Sequence, residues 1–489
     1  METQALVHGL GAWSAGKGSL QQKLARALAQ TIRNGAINPG MRLPSERTMA
    51  QALTLSRTTV IAAYDALRET GWLESRPGSG TWVSARSRAV AAARGAAHTG
   101  ALAVSPLLGL LAQHEGDGMI DFALGAPLPL MELPVELFTI PADEYASLVR
   151  DPRYHPLGVP TLRQAIAEYY SNAGLDTRPA QVLVTSGAQQ AIALCAALYL
   201  QRGDSVLVED PTYFGALDAC RAAGARVAGL PVHASGVPPA ILHDRITAGA
   251  PRLVYLTPSF QNPTGAVMPA QARSEVCRIA REFGVPIIED STFADLALDG
   301  SLPPPLAAYA GDAPVITIGS LSKLLWPGLR VGWIRAAEPV VERLARVKSA
   351  FDLGSPLIPQ AIAVRLLGSI DEARRLRRNQ LKPRRDLLAG LLRKHLPTWT
   401  FRVPGGGLFL WVKLPEGDAR ELAQAALRHG VVILPGPAMS PTGGHTDFLR
   451  LPFLAEPATL RMGLGRLAAA WRDYQSADRR ERQQSVALV

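Results

Sequence analysis

The sequence predicts a multidomain protein, with a small N-terminal α+β module, a larger α/β body and a small C-terminal α+β part. Three observations support this fold class. The chain has 489 residues, more than one hydrophobic core usually serves. Its net charge of +10 is uneven, because residues 1–94 hold 12 Lys and Arg against 5 Asp and Glu. Beyond residue 120, short apolar runs alternate with helical stretches, which indicates a mostly parallel sheet flanked by helices.

The composition is that of a soluble globular protein, with 47% hydrophobic and 19% charged residues. No uncharged apolar run reaches the ~18 residues of a membrane span, and the N-terminus lacks the apolar core of a signal peptide. The cysteines Cys195, Cys220 and Cys277 follow no metal-ligand spacing. We therefore expect no metal site and a cytoplasmic protein whose thiols stay reduced.

The N-terminal module has the pattern of three helices and a hairpin. Apolar residues recur at every fourth position over residues 19–34, which predicts an amphipathic helix. Ser45 and Ser56 are suited to cap two further helices that are separated by about three residues, as a helix-turn-helix requires. Two short strands over residues 72–76 and 81–84 enclose a glycine-rich turn and predict a β-wing.

The third helix begins with an arginine and two threonines, at the end of a recognition helix that meets DNA. Arg57 could reach guanine in the major groove, while the threonines suit phosphates. The alternative is a three-helix protein-binding bundle with incidental arginines. Six residues are predicted to contact DNA: Arg42, Arg47, Arg57, Thr58, Thr59 and Gly78.

Three segments of this module carry a family resemblance. They are Pro39-Gly-Met-Arg-Leu-Pro-Ser-Glu-Arg47, Leu55-Ser-Arg-Thr-Thr-Val60 and Gly71-Trp-Leu-Glu-Ser-Arg-Pro-Gly-Ser-Gly80. In order and spacing they resemble the winged helix-turn-helix of the GntR family of bacterial repressors. The resemblance implies that all the predicted DNA contacts except Arg42 match DNA-contacting positions of that family.

The rest of the chain is predicted to divide at changes of composition. We expect a DNA-binding domain over residues 18–86. Residues 87–118 are rich in Ala, Gly and Arg without a sustained apolar period, which predicts a flexible linker. The body is expected over residues 119–472, with its small C-terminal part at about 375–472, and residues 473–489 form a polar tail.

Polar residues follow the predicted strands of the body, at the edge where open α/β sheets bind ligands. Ser186-Gly-Ala-Gln-Gln190 follows one strand and starts a helix, whose N–H groups can bind phosphate. Tyr213 offers a ring that could stack on a pyridine, and Asn262 offers an amide at a rigid turn. Asp290 offers a carboxylate that would keep a pyridine nitrogen protonated.

The stretch from Gly319 to Trp333 completes this set. Lys323 follows a strand, where partial desolvation would let its amine lose a proton and attack an aldehyde. Ser320, Ser322 and Arg330 supply the hydroxyls and the positive charge that a phosphate favours. Each residue alone has an ordinary structural explanation, such as a helix cap or a solvated lysine. Their order along the chain favours a lysine bound to pyridoxal 5′-phosphate (PLP).

From about residue 120 to 471 this set resembles the fold-type I aminotransferases, which are PLP-dependent transferases. The resemblance implies that Lys323 is the aldimine lysine, that Asp290 partners the pyridinium, and that Tyr213 stacks on the ring. These three are the predicted catalytic residues, and Asn262 is expected to donate to the phenolic oxygen. The resemblance further implies that Tyr154 reaches the phosphate in the neighbouring subunit. It places Gly125 and Arg450 at the substrate, where Arg450 clamps a carboxylate. The residues implied to surround the phosphate are Ser186, Gly187, Ala188, Ser320, Ser322 and Arg330.

Two positions depart from the pattern of that family. Phe293 stands where a tyrosine often bonds the phenolic oxygen of the cofactor, so the loss of the hydroxyl is expected to weaken catalysis and still permit binding. Ala188 stands where a hydroxyl residue is common, which leaves one phosphate contact to the backbone. Both changes fit a sensor better than a fast enzyme.

The order of the two modules resembles the MocR subgroup of GntR-family regulators. This resemblance implies a PLP-dependent transcription regulator that binds operator DNA as a homodimer and senses PLP, with or without a small amino compound. One alternative is a working aminotransferase that carries an auxiliary DNA-binding domain. Another is a repressor whose body has lost the cofactor.

Overall fold

The computed structural model describes residues 6–7, 10, 13–14, 19–33, 37, 40–69, 72–76, 80–84 and 118–486. The chain divides into two compact units, residues 1–103 and 104–489. All of the predicted linker except its last residue lies outside the described ranges, as does Gly78.

The N-terminal unit is a winged helix-turn-helix, as predicted. Ser45 Oγ accepts the backbone N–H of Thr48, and Ser56 Oγ accepts that of Thr59, each at 3.2 Å, so both predicted caps form. The two strands pair antiparallel, with Leu73 opposite Val83. The elements are α1 (Leu20–Arg33), α2 (Glu46–Leu53), α3 (Arg57–Glu69), β1 (Leu73–Arg76) and β2 (Gly80–Val83). The apolar residues of the three helices pack into one core, whose fully buried members include Leu24, Leu28, Met49, Val60 and Tyr64.

The second unit alternates strands and helices, as the sequence predicts. Its strands are β3 (Ile120–Phe122), β4 (Val182–Thr185), β5 (Ser205–Asp210), β6 (Arg226–Pro231), β7 (Leu253–Leu256), β8 (Ile287–Asp290), β9 (Val315–Ser320), β10 (Gly332–Arg335), β11 (Thr400–Phe401), β12 (Phe409–Lys413), β13 (Val431–Pro435) and β14 (Phe448–Pro452). Its helices are α4 (Ala142–Arg150), α5 (Pro160–Asn172), α6 (Ala188–Tyr199), α7 (Phe214–Ala222), α8 (Pro239–Gly249), α9 (Ala270–Phe283), α10 (Glu338–Ser349), α11 (Leu357–Gly368), α12 (Ile370–His395), α13 (Ala419–Arg428) and α14 (Pro457–Val486).

A seven-stranded sheet forms the centre of this unit, in the order β4-β10-β9-β8-β7-β5-β6. β10 runs antiparallel to both of its neighbours, and the pairs from β6 to β9 are parallel. β4, β7, β8 and β9 are buried along their whole length. Helices cover both faces of the sheet, so successive residues of a strand pack into two different hydrophobic cores. Leu183 packs into one core and the next residue, Val184, packs into the other. The carboxyl ends of the parallel strands therefore meet at one edge.

A second sheet has five strands in the order β11-β12-β14-β13-β3. Four of them come from the C-terminal part of the chain. The fifth, β3, comes from the start of the body and runs parallel to β13, with Ile120 opposite Val431. This pairing brings the segment that follows β3, including Gly125, to the small sheet.

Two further features concern the chain as a whole. Throughout the described part of the chain, no helix has both the length and the apolar character needed to cross a bilayer. The three cysteines are buried and form no disulfide. Burial raises the pKa of the Cys195 thiol to about 12, so this cysteine behaves as a core residue.

Candidate functional site

Lys323 lies in the turn after β9, at the edge of the sheet where the sequence places it. Its half-buried amine donates a hydrogen bond to the Gly125 carbonyl oxygen at 2.6 Å. Burial, together with the positive charges of Arg450 and Arg330, lowers the pKa of Lys323 to about 8, against the opposing effect of Asp290. An amine with this pKa is partly unprotonated near neutral pH, so it can act as a nucleophile.

Asp290 is the last residue of β8, and its buried carboxylate is held on both oxygens. Oδ2 accepts the Tyr255 hydroxyl at 2.5 Å. Oδ1 accepts the backbone N–H of Thr292 at 2.9 Å, and also its hydroxyl. Burial and the Asp290 charge raise the pKa of Tyr255 well above its usual range, so the phenol remains a donor. Tyr255 was not predicted from the sequence, where its only signal is a phenol inside the apolar run of β7.

Arg450, on β14, is 2% exposed and faces the same edge. Its Nη2 donates to the Ala123 carbonyl at 2.5 Å and its Nη1 to Asn262 Oδ1 at 3.1 Å. The guanidinium lies 3.9 Å from the centre of the Phe409 ring, and its Nε has no partner among the described residues. Burial lowers the pKa of Arg450 to about 9. A buried cation with an unused N–H is suited to an anionic ligand, and the amide nitrogen of Asn262 is left as a donor.

The predicted phosphate-binding residues form a compact group around the start of α6. Gly187 precedes this helix with φ +125°, and a Cβ there would lie 3.0 Å from the guanidinium of Arg330. Arg330 itself has φ +54°. Ser320 and Ser322, both buried, are hydrogen-bonded to each other at 3.1 Å. A glycine is needed here because the arginine lies directly against the loop.

Tyr213 and Phe293 line the remaining part of the site. The Tyr213 ring centre lies 5.0 Å from that of Phe214, and burial together with the Asp290 charge raises the pKa of Tyr213 to about 12. Phe293 is buried and packs edge-on against Phe409, with ring centres 5.9 Å apart. This position therefore offers an apolar edge where a tyrosine would offer a hydroxyl.

Two predicted residues have surroundings that the sequence did not indicate. A Cβ at Gly125 would overlap the Phe409 ring, so the glycine permits a close approach of that ring. Tyr154 is 71% exposed, and no bond joins it to the residues above within the described part of the chain. Its carbonyl oxygen lies where a Cβ on Gly354 would be, so the turn at residues 351–354 packs against it.

The candidate DNA-contacting residues lie on the winged unit. Arg42, Arg47, Arg57 and Thr58 are exposed, and Thr59 is partly so. The hydroxyls of Thr58 and Thr59 lie 2.8 and 2.7 Å from Ser56 Oγ, so they also take part in the cap of α3. The Arg42 guanidinium lies beside Gly80, the first residue of the second wing strand. The wing and the start of α3 thus present cations at their surfaces.

Two family models match the chain. The model described as aminotransferase class I and II matches residues 151–467. The model described as bacterial regulatory proteins, gntR family, matches residues 20–83. Together they account for both compact units.

Relatives of both kinds are found. An uncharacterized HTH-type transcriptional regulator of Bacillus subtilis strain 168, YdfD, is 31% identical over 88% of this chain and 92% of its own. The probable rhizopine catabolism regulatory protein MocR of Rhizobium meliloti is 30% identical over 94% of this chain and 95% of its own. The 2-aminoadipate transaminase of Thermus thermophilus is 33% identical over 72% of this chain and 90% of its own.

The fold of the body is also similar to that of a crystal structure. LysN, the alpha-aminoadipate aminotransferase of Thermus thermophilus complexed with N-(5′-phosphopyridoxyl)-L-leucine, gives a TM-score of 0.70. The two chains are 30% identical, and the match covers 77% of this chain and 96% of LysN. The donor set described above fits the same cofactor, since it combines a low-pKa amine, a fixed carboxylate and a cation against a phosphate-type loop. This chain therefore belongs to the MocR subgroup of GntR-family regulators, in which a winged helix-turn-helix precedes an aminotransferase class I and II domain whose cofactor is PLP.

Proposed function

We propose that the protein is a DNA-binding transcription regulator whose body senses PLP, alone or with a small amino compound. In this proposal a DNA-reading domain (residues 18–86) is joined by a linker (87–118) to the sensing body (119–472). The observation that carries it is the union, in one chain, of a gntR-family domain and a lysine whose pKa is lowered to about 8. A regulator that binds operators works in the cytoplasm.

When bound, PLP supplies an aldehyde that amines attack and a pyridine ring that withdraws electrons from the attached carbon. Lys323 provides the amine, and its bond to the Gly125 carbonyl orients it in the free protein. Asp290 provides the acceptor for the proton of the ring nitrogen, Tyr213 the stacking ring and Asn262 the donor to the phenolic oxygen. The phosphate would be held by Ser186, Gly187, Ala188, Ser320, Ser322 and Arg330.

The proposed effector is a small amino compound with an acidic group. Arg450 is buried with an unused N–H, and leaving such a cation without an anion is costly. The guanidinium has a planar fork of donors that matches a carboxylate. Gly125, whose segment borders Lys323 and the Phe409 ring, would lie along the path of the effector.

The proposed assembly is a homodimer in which Tyr154 reaches the phosphate of the other subunit. Large apolar side chains are exposed in the segments around this tyrosine and in the turn against it, which supports burial by a second copy. They include Leu128, Met131, Val135, Val149, Phe351 and Leu353. Two DNA-reading heads would then meet repeated half-sites. A ligand changes their placement only by binding one arrangement of the body more tightly than the other.

Footprinting of the full-length protein on the DNA upstream of its own gene tests this proposal. We expect a footprint whose extent or midpoint concentration changes when PLP is added. Lys323→Ala should keep the basal footprint and lose the PLP response, and Lys394→Ala, which removes an exposed lysine on α12, should behave as wild type. Footprints that are the same with and without PLP in all three proteins would contradict the proposal.

A second candidate is an active aminotransferase that carries a DNA-binding domain. The similarity to 2-aminoadipate transaminase and the presence of both Lys323 and Asp290 favour it. Phe293 disfavours it, because no hydroxyl is present there to bond the cofactor. Many turnovers per active site with an amino acid and a 2-oxo acid would support the enzyme, whereas a single half-reaction or none supports the sensor.

A further inference from the structure

An ion pair between a buried lysine and a partly exposed aspartate is hydrogen-bonded to the predicted phosphate loop. Lys348, in the last turn of α10, has a side chain with 0% exposure, and its Nζ donates to Asp352 Oδ1 at 2.7 Å. The other carboxylate oxygen, Oδ2, accepts Nε2 of Gln190 at 2.7 Å. Gln190 Oε1 in turn accepts the backbone N–H of Ser186 at 2.8 Å. Four groups thus form one chain of hydrogen bonds that ends on the residue before Gly187.

The charges of Lys348 and Asp352 fix the direction of every hydrogen bond in this series. An ammonium group only donates and a carboxylate only accepts. Gln190 must therefore turn its NH₂ toward Asp352, which leaves its carbonyl oxygen for the N–H of Ser186. A neutral side chain at position 352 could present either a donor or an acceptor, so the orientation of the Gln190 amide would no longer be imposed.

The backbone N–H of Ser186 lies next to a residue with an unusual backbone conformation. Gly187, the next residue, has φ +125° and packs against the Arg330 guanidinium. Holding Ser186 from behind fixes where the following N–H groups at the start of α6 point. It also commits the Ser186 N–H, so the phosphate contact of Ser186 falls to its hydroxyl. An ion pair that removes a charged group from water, as this one does for Lys348, often adds little stability, and its better-attested role is to fix an arrangement.

We infer that Asp352 is a positioning residue for the phosphate of the cofactor, acting through Gln190 on the turn at Ser186 and Gly187. This inference rests on the proposed role of that turn in binding the phosphate. Asp352 does not touch the ligand in this scheme. Its effect is confined to ligands that carry a phosphate, which separates it from a general contribution to stability.

The test compares the affinities of the full-length protein, freed of cofactor, for PLP and for pyridoxal, which lacks the phosphate. Both are measured by absorbance titration for the wild type, Asp352→Asn, Gln190→Met and the control Asp371→Asn. Asp371 is an exposed carboxylate paired with Arg374 on α12. Because one charge-assisted hydrogen bond corresponds to about a tenfold change, we expect the preference for PLP to fall about tenfold in the first two variants. The control should keep the wild-type preference, and affinity for pyridoxal should stay within about threefold throughout.

Gln190→Met is the second variant in case Asp352→Asn fails to fold. It keeps the Lys348–Asp352 pair and removes the amide that links this pair to Ser186. If wild type binds pyridoxal as tightly as PLP, the proposed phosphate site itself is wrong. If wild type prefers PLP and both variants keep that preference, only the positioning role is overturned. Equal loss of affinity for PLP and pyridoxal in both variants also overturns it, since that pattern indicates a general structural defect.

Discussion

Removal of the Lys323 amine should stabilise the cofactor-free protein at neutral pH. The folded structure lowers the pKa of Lys323 from 10.5 to about 8, so the protonated amine is disfavoured there relative to the unfolded chain. Each pKa unit corresponds to about 1.4 kcal/mol, which gives a destabilisation of about 3 kcal/mol below the folded pKa. Lys323→Met removes this cost and loses the hydrogen bond to Gly125, worth about 1 kcal/mol. The expected net gain is about 2 kcal/mol.

The dependence on pH follows from the two pKa values. Below about pH 8 the Lys323 amine is protonated in both the folded and the unfolded wild type, so the full loss of folding stability applies. Between about pH 8 and 10.5 the unfolded chain keeps a proton that the folded protein has released, so wild-type stability rises with pH. Above pH 10.5 the electrostatic advantage of Lys323→Met should be gone. With PLP present the order should reverse, because the wild type gains the free energy of covalent attachment.

Urea unfolding of the body, followed by tryptophan fluorescence from pH 6.5 to 10.5, measures both effects. The free energy of unfolding is compared for wild type, Lys323→Met and the control Lys394→Met, without and then with saturating PLP. A Lys323→Met protein that is less stable than wild type at pH 7 without cofactor would refute the reasoning. So would a difference in stability that stays constant across the pH range.

Three further predictions concern the two ligand sites. Arg450→Lys should weaken binding of an acidic amino compound by about tenfold or more, because an ammonium group cannot reproduce the planar guanidinium that lies over Phe409. Calorimetry measures this affinity, and an unchanged value would exclude Arg450 as the residue that binds the carboxylate. Phe293→Tyr should change the pH at which the absorbance of the bound cofactor shifts, since it adds a hydroxyl, and a spectrum that titrates like wild type would contradict this. Arg57→Ala should weaken specific operator binding by ~1–3 kcal/mol in a gel-shift titration, whereas Arg26→Ala, on the exposed face of α1, serves as the control.

The sequence was informative wherever the signal is local. Ser186 comes directly after β4, as predicted, whereas Asp290, which was expected to follow its strand, is the last residue of β8. Serine caps, turn glycines and strand ends depend on a few neighbouring residues, which is why the helix-turn-helix and the ligand edge were predictable. The pairing of Ile120 with Val431 was not, because a three-residue strand carries no information about a partner three hundred residues away.

The same limit applies to the site. Lys323, Asp290 and Arg450 could be named from motifs, but their partners could not. Tyr255 supports Asp290 from a neighbouring strand, and Asp352 reaches Gln190 from a distant helix end. Such contacts depend on the register of the whole sheet, so they appear only in three dimensions. Residues that hold the site in place are therefore the ones sequence reasoning misses most readily.

The balance of charge at the sheet edge bears on the proposed sensing of anionic ligands. Lys323, Arg330 and Arg450 act on one another there, and Asp290 is the anion among the predicted residues. The nearby carboxyl of Glu209 adds little negative charge near pH 7, because burial raises its pKa to about 8. Arg450 is buried and forms no salt bridge within the described part of the chain, which is unfavourable in a medium of low polarity. Under the proposed function, a phosphate and a carboxylate would supply negative charge here, and an arrangement of the body that binds them more tightly would gain population when they are present.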